Sequence, residues 1–148
     1  MKQILYCEDD LNIRSTIVNY KMKDDVLDCQ VIEASGVREG LSKLTGINMN
    51  HFDPTSIDQL LNAIKAGNPN YDLLRLVLTD GELIDPEING KKNAFTGWDL
   101  AYVLRETGYK GKIGYLGTSL VPENKKHLFD GFFNKLDLNA YNQYLQQI

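Results

Sequence analysis

A chain of 148 residues with 43% hydrophobic and 24% charged side chains is long enough for one domain with a proper core, and too ordinary in composition for disorder. Its net charge of −4 argues against a dedicated nucleic-acid surface, and no apolar run approaches the roughly 20 residues of a membrane-spanning helix. Cys7 and Cys29 lack a CxxC spacing and read as packed thiols, while Met1-Lys2-Gln3 runs into a strand rather than a signal peptide, so a cytoplasmic protein is expected.

Ile4-Leu5-Tyr6-Cys7 reads as a short apolar strand that stops at Glu8-Asp9-Asp10. A helix follows, capped by Asp10 or Asn12, with Ile13, Ile17 and Tyr20 on one face. Cys29-Gln30-Val31-Ile32 is a second strand, and Ser35 is placed to cap a helix carrying Val37, Leu41 and Leu44. This β-α-β-α rhythm predicts a parallel sheet. The rhythm then breaks. Ser56 and Gln59 form a capping-box pattern before Ile57, Leu60, Leu61 and Ile64, and Gly67 and Pro69 end the run. An extra amphipathic helix is therefore predicted, its stripe facing the core or, alternatively, a partner.

The apolar run 73–78 is next, ending in Thr79-Asp80-Gly81. A run of this kind suits a strand buried on both faces. Taken alone, its end is a plain Asp-Gly turn. In an open α/β sheet, however, the same end is where ligand sites form. Residues 82–95 read as a long polar loop. Thr96-Gly97 then opens a helix with Leu100, Val103 and Leu104. Residues 112–116 form a fourth strand leading to Gly117-Thr118-Ser119, Pro122 starts a short helical piece, and residues 131–135 form a fifth strand. Leu138, Tyr141, Leu145 and Ile148 give the last helix its face. His51 and His127 show no ligand pattern.

A right-handed α/β arrangement brings the ends of the first and third strands side by side, so Glu8, Asp9 and Asp80 share a crevice. Two carboxylates about 4 Å apart repel by roughly 4 kcal/mol at an effective dielectric of about 20. Three together need a raised pKa or a cation, and a hard divalent ion such as Mg²⁺ fits oxygen donors. Decoration of a helix N-terminus would explain the first acids but not Asp80. Lys135 adds a positive charge and Thr118 a hydroxyl. Together these groups suit phosphoryl transfer to an aspartate.

These motifs, in this order, resemble bacterial response-regulator receiver domains: Ile4-Leu5-Tyr6-Cys7-Glu8-Asp9-Asp10, Leu76-Val77-Leu78-Thr79-Asp80, Gly117-Thr118-Ser119 and Phe132-Phe133-Asn134-Lys135. The resemblance covers nearly the whole chain. It implies a stand-alone receiver-like domain over 1–148, with insertions at about 47–70 and 83–96. The implied fold is α/β, doubly wound and flavodoxin-like, with a five-stranded parallel sheet of order 2-1-3-4-5. An inserted helix precedes strand 3, and the fourth helix is shortened. Glu8 and Asp9 correspond to the acidic pair and Asp80 to the phosphoacceptor. The metal, Mg²⁺, would be held by Glu8, Asp9, Asp80 and the backbone carbonyl of Glu82. Thr118 and Lys135 correspond to the phosphate-binding hydroxyl and ammonium, Phe132 to the aromatic switch residue paired with Thr118, and Ser119 to a small residue that leaves the site open.

The family's lysine is usually followed by proline, and here Leu136 stands in that place. Phe132 has no hydroxyl to favour an exposed position, so an inward ring is expected. The implied partners are a histidine kinase or histidine phosphotransfer protein and a downstream protein, without direct nucleic-acid binding or membrane insertion. Any activity would be limited to self-phosphorylation from a phosphodonor and autodephosphorylation. A non-phosphorylated receiver-like interaction module is the alternative. A metal-dependent phosphatase fits less well, because no general acid follows a nucleophilic aspartate by two positions on the first strand.

Overall fold

The structure, a computed structural model, describes residues 1–19, 29–48, 56–83, 95–117 and 120–148. Successive side chains of a strand point to opposite faces, and β1 (Lys2–Cys7) shows what that does here. Ile4 and Tyr6 enter one core cluster, with Ile17 and Val18 at the end of α1 (Leu11–Ile17) and Tyr141 and Leu145 of α5 (Leu138–Leu145). Leu5 and Cys7 enter the other. There they join Val37 and Leu41 of α2 (Val37–Thr45), Leu60, Leu61 and Ile64 of α3 (Ile57–Ala66), and Leu100, Val103 and Leu104 of α4 (Gly97–Glu106). Helices thus cover both faces of the sheet.

The sheet joins β1 to β2 (Cys29–Ala34), β3 (Leu74–Thr79), β4 (Lys112–Tyr115) and β5 (Gly131–Phe132) in the order β2-β1-β3-β4-β5. Every neighbouring pair is parallel. This is the doubly wound, flavodoxin-like α/β fold expected from the sequence. Central β3 is buried at every position except Arg75, as a strand covered by helices on both faces must be.

The inserted helix before strand 3 is α3. Ser56 caps it, accepting a hydrogen bond from the Gln59 N–H at 3.2 Å. Its stripe is core: Leu60 and Ile64 are fully buried and Leu61 nearly so. The alternative of a free docking stripe therefore fails. The shortened fourth helix is a six-residue 3-10 helix, Glu123–Leu128, anchored by buried Leu128 and Phe129.

Three local expectations are corrected. Ser35 does not cap α2; Gly36 is the N-cap, and Ser35 instead donates its N–H and hydroxyl to Glu39 Oε2 at 3.1 and 2.6 Å. Leu138 lies outside the buried face of α5, with 42% of its surface exposed, because it sits at the helix start, beyond the packed turns. The fifth strand ends at Phe132 rather than Lys135. Asn134 ends it by accepting the Leu136 N–H at 2.9 Å and turning the chain. Of the two expected insertions, residues 49–55 and 84–94 lie outside the described residues. No helix among the described residues is long and apolar enough to cross a membrane.

Candidate functional site

The register pairs Cys7 with Thr79, so the next residues, Glu8 and Asp80, leave neighbouring strands at one level. The Asp80 N–H donates to the Cys7 carbonyl at 3.0 Å, and the Glu8 N–H donates to the Ala34 carbonyl at 3.0 Å. Both acids thus spring from ladder-held backbone at the carboxyl edge of the sheet. Asp10 faces elsewhere: its Oδ1 accepts the N–H groups of Asn12 and Ile13 at 2.9 and 3.1 Å and caps α1. The crevice is kept narrow by glycine. A Cβ on Gly97 would collide with the Asp80 carbonyl oxygen, and one on Gly117 would stand 2.8 Å from Asp80 Oδ1.

Glu8, Asp9 and Asp80 each offer an oxygen within 4.8 Å of the others. At that separation each charged pair costs roughly 3–4 kcal/mol at an effective dielectric of about 20. The Lys135 ammonium offsets part of this, standing 3.0 Å from Asp80 Oδ2 and 3.4 Å from Glu8. Asp80 Oδ1 accepts the Gly81 N–H at 2.7 Å, and Glu8 Oε1 accepts the Asp10 N–H at 3.1 Å. Glu8 Oε2 is buried and has no hydrogen bond.

Burial, seconded by the Asp80 charge, pushes the Glu8 carboxyl up to about 7, although the Asp10 N–H and Lys135 pull the other way. For Lys135 burial opposes the charged form, but the hydrogen bond to Asp80 and the charge of Glu8 outweigh it and raise its pKa. One ammonium faces three carboxyl groups, so two negative charges are left over when Glu8 is ionised and one when it holds a proton. A buried carboxylate oxygen that accepts no hydrogen bond, beside two converging carboxylates, fits a hard divalent ion.

Of the residues singled out from sequence, Glu8, Asp9, Asp80 and Lys135 come together. Lys135 does so from a turn beyond the strand, not from the strand end. Glu82 lies two residues after Asp80 and is exposed. Thr118 and Ser119 lie outside the described residues. Phe132 is not inward, since 49% of its surface is exposed. The interior is already filled by Tyr115 and Phe129, at 2% and 8% exposure, whose ring centroids stand 5.8 and 5.6 Å from that of Phe132.

Two residues escaped the sequence reading. Arg14 Nη1 donates to the Glu8 carbonyl at 2.6 Å, and nothing in the sequence distinguishes Arg14 from a surface arginine. The Tyr141 hydroxyl donates to the Lys135 carbonyl at 2.8 Å. Its signal was a phenol on a buried helix face, where the hydroxyl needs a partner.

No family model matches the chain, and no curated protein matches it at a significant level. Solved structures do. The non-phosphorylated HemR receiver domain of Leptospira biflexa aligns at 18% identity and a TM-score of 0.61, over 99% of this chain and 93% of that one. The response regulator TrrA of Thermotoga maritima, in complex with Mg²⁺ and BeF, aligns at 17% identity and a TM-score of 0.60, over 99% and 98%. The chemotaxis protein CheY4 of Vibrio cholerae aligns at 19% identity and a TM-score of 0.58, over 100% and 98%. At these identities the likeness is one of fold, and it is the same fold each time. The chain has the fold of the CheY-like response-regulator receiver domains.

Proposed function

We propose that this chain is a phosphoacceptor receiver extending over 1–148, taking a phosphoryl group onto Asp80 from the phosphohistidine of a kinase or phosphotransfer protein. One observation carries the reading: Glu8, Asp9, Asp80 and Lys135 converge at the carboxyl edge of a receiver-type sheet. In the transfer, an Asp80 carboxylate oxygen attacks phosphorus, and the bond from phosphorus to the donor nitrogen breaks. Its electron pair stays on the imidazole, leaving an aspartyl phosphate. Lys135 places positive charge where the phosphoryl oxygens gather, and the Gly81 N–H holds the other Asp80 oxygen. The side chains of Glu8, Asp9 and Asp80 and the carbonyl of Glu82 are the groups to hold Mg²⁺. Bound there, the ion supplies charge neutralisation for the transferring group. Thr118 is assigned the phosphate-binding hydroxyl, and it forms the switch pair with Phe132.

The phosphorylated domain acts by contact with a downstream protein, in the cytoplasm, without binding nucleic acid or entering a membrane. Its own chemistry is limited to acquiring and losing the phosphoryl group. A second reading, an interaction module that is never phosphorylated, is favoured by one observation: a six-residue 3-10 helix stands where a full helix of the signalling face is usual.

Acetyl phosphate with Mg²⁺ separates the two readings. Intact mass should show one added phosphoryl group, and Asp80→Asn should show none. Equal labelling of the variant would move the acceptor elsewhere, and an unlabelled wild-type chain would favour the interaction module.

A further inference from the structure

Lys135 reaches Asp80 and Glu8 from a position where no strand holds it. β5 ends at Phe132, and the last ladder bond beyond it is from the Phe133 N–H to the Tyr115 carbonyl, at 3.0 Å. A lysine side chain turns about four bonds, so its ammonium is held on these acids only if the backbone that carries it is also held. That backbone is gripped at two points. The Tyr141 hydroxyl donates to the Lys135 carbonyl at 2.8 Å, and the following N–H, of Leu136, donates to Asn134 Oδ1 at 2.9 Å.

Tyr141 is a stiff anchor. It is fully buried, its ring meets Phe133 edge-on at 5.1 Å and 85°, and Phe133 stacks on Tyr144 at 5.3 Å. Burial raises the pKa of the phenol, so it remains a donor across the accessible pH range. In the receivers this chain resembles, proline usually follows the lysine and sets the backbone angle itself. Leu136 uses an N–H that proline lacks, so hydrogen bonds give this turn its rigidity.

The geometry points to Tyr141 as a positioning residue: its hydroxyl, with Asn134 as the second grip, fixes the Lys135 main chain so that the ammonium lies on Asp80 and Glu8. Tyr71 provides an internal comparison. It is a half-buried tyrosine packed against the other core cluster, and its hydroxyl shares a hydrogen bond with Thr107 Oγ1 at 2.6 Å.

What Lys135 does once aimed rests on the phosphoacceptor reading; where it is aimed does not. The experiment reads the two separately. Brief acetylation of the metal-free protein, followed by peptide mass analysis, gives the reactivity of Lys135 relative to exposed Lys112. Tyr141→Phe should raise the relative Lys135 rate roughly three- to tenfold, as loss of one buried hydrogen bond allows, and Tyr71→Phe should leave it unchanged. With acetyl phosphate, Tyr141→Phe should slow phosphorylation about tenfold, the scale of a loosened catalytic group, with the half-saturating Mg²⁺ concentration unmoved.

An unchanged Lys135 rate in Tyr141→Phe overturns the inference. So does an equal rise in Tyr71→Phe, since the effect would then belong to the loss of any phenol's hydrogen bond. If Tyr141→Phe loses its cooperative urea transition, Asn134→Ala decides in its place: Asn134 is exposed, and faster Lys135 acetylation there supports the grip, whereas an unchanged rate refutes it. A wild-type chain that accepts no phosphoryl group defeats the phosphoacceptor reading alone, and the acetylation arm still decides this one.

Discussion

Glu8 concentrates the electrostatic tension of the site. It is fully buried beside Asp80, with one oxygen that accepts no hydrogen bond, and its pKa is pushed from the ordinary 4.5 up to about 7. Between those values the folded protein keeps a proton that the unfolded chain has released. The stability this contributes is fully present below about pH 4.5 and is lost as pH rises through about 7. In EDTA, the urea midpoint should therefore fall between pH 5 and pH 8 by an amount on the order of 2 kcal/mol in stability. Glu8→Gln, which cannot ionise, should flatten the profile, and a variant with the wild-type slope would assign the titration to another group. Asp9, one residue on, is only partly buried, and that difference follows from β1 ending at Cys7.

At the scale of elements, α3 and β5 depart most from a plain five-unit α/β chain. α3 could have been an appendage carrying a binding stripe. Its packing says otherwise, since Leu60, Leu61 and Ile64 share a core cluster with Leu100 and Leu104 of α4. Leu60→Ala should therefore cost about 2–5 kcal/mol, the range for emptying a buried leucine site. Urea unfolding checks this, and a loss below about 0.5 kcal/mol, typical of a surface change, would show α3 to be peripheral. β5 is an edge strand of two residues with one neighbour. Its shortness moves Lys135 into a turn and gives Tyr141 its part in the site.

For the molecule as a whole, charge crowding couples ion binding to folding. Mg²⁺ bound only by the folded state stabilises it by mass action, about 2.7 kcal/mol at one hundred times the dissociation constant. The thermal midpoint should rise with Mg²⁺ concentration, and Asp9→Asn should lose most of that rise; full retention would place the ion elsewhere. Much of this protein was legible in the chain itself. The apolar runs ending in Glu8 and Asp80 marked the two central strands, and helical periodicity marked α3, because such patterns are written within a few neighbouring residues. The receiver motifs then supplied the sheet order. The depth of Glu8, the outward ring of Phe132, the early end of β5 and the grip of Tyr141 on Lys135 were not legible. Each depends on which distant side chains fill a space first: Tyr115 and Phe129 occupy the interior that Phe132 would enter, and Lys135 meets Glu8 across 127 positions of sequence. Local sequence determined which segments became strands and helices and which acids stood at their ends; packing between remote segments alone decided how those acids are charged, what faces them, and what holds the lysine in place.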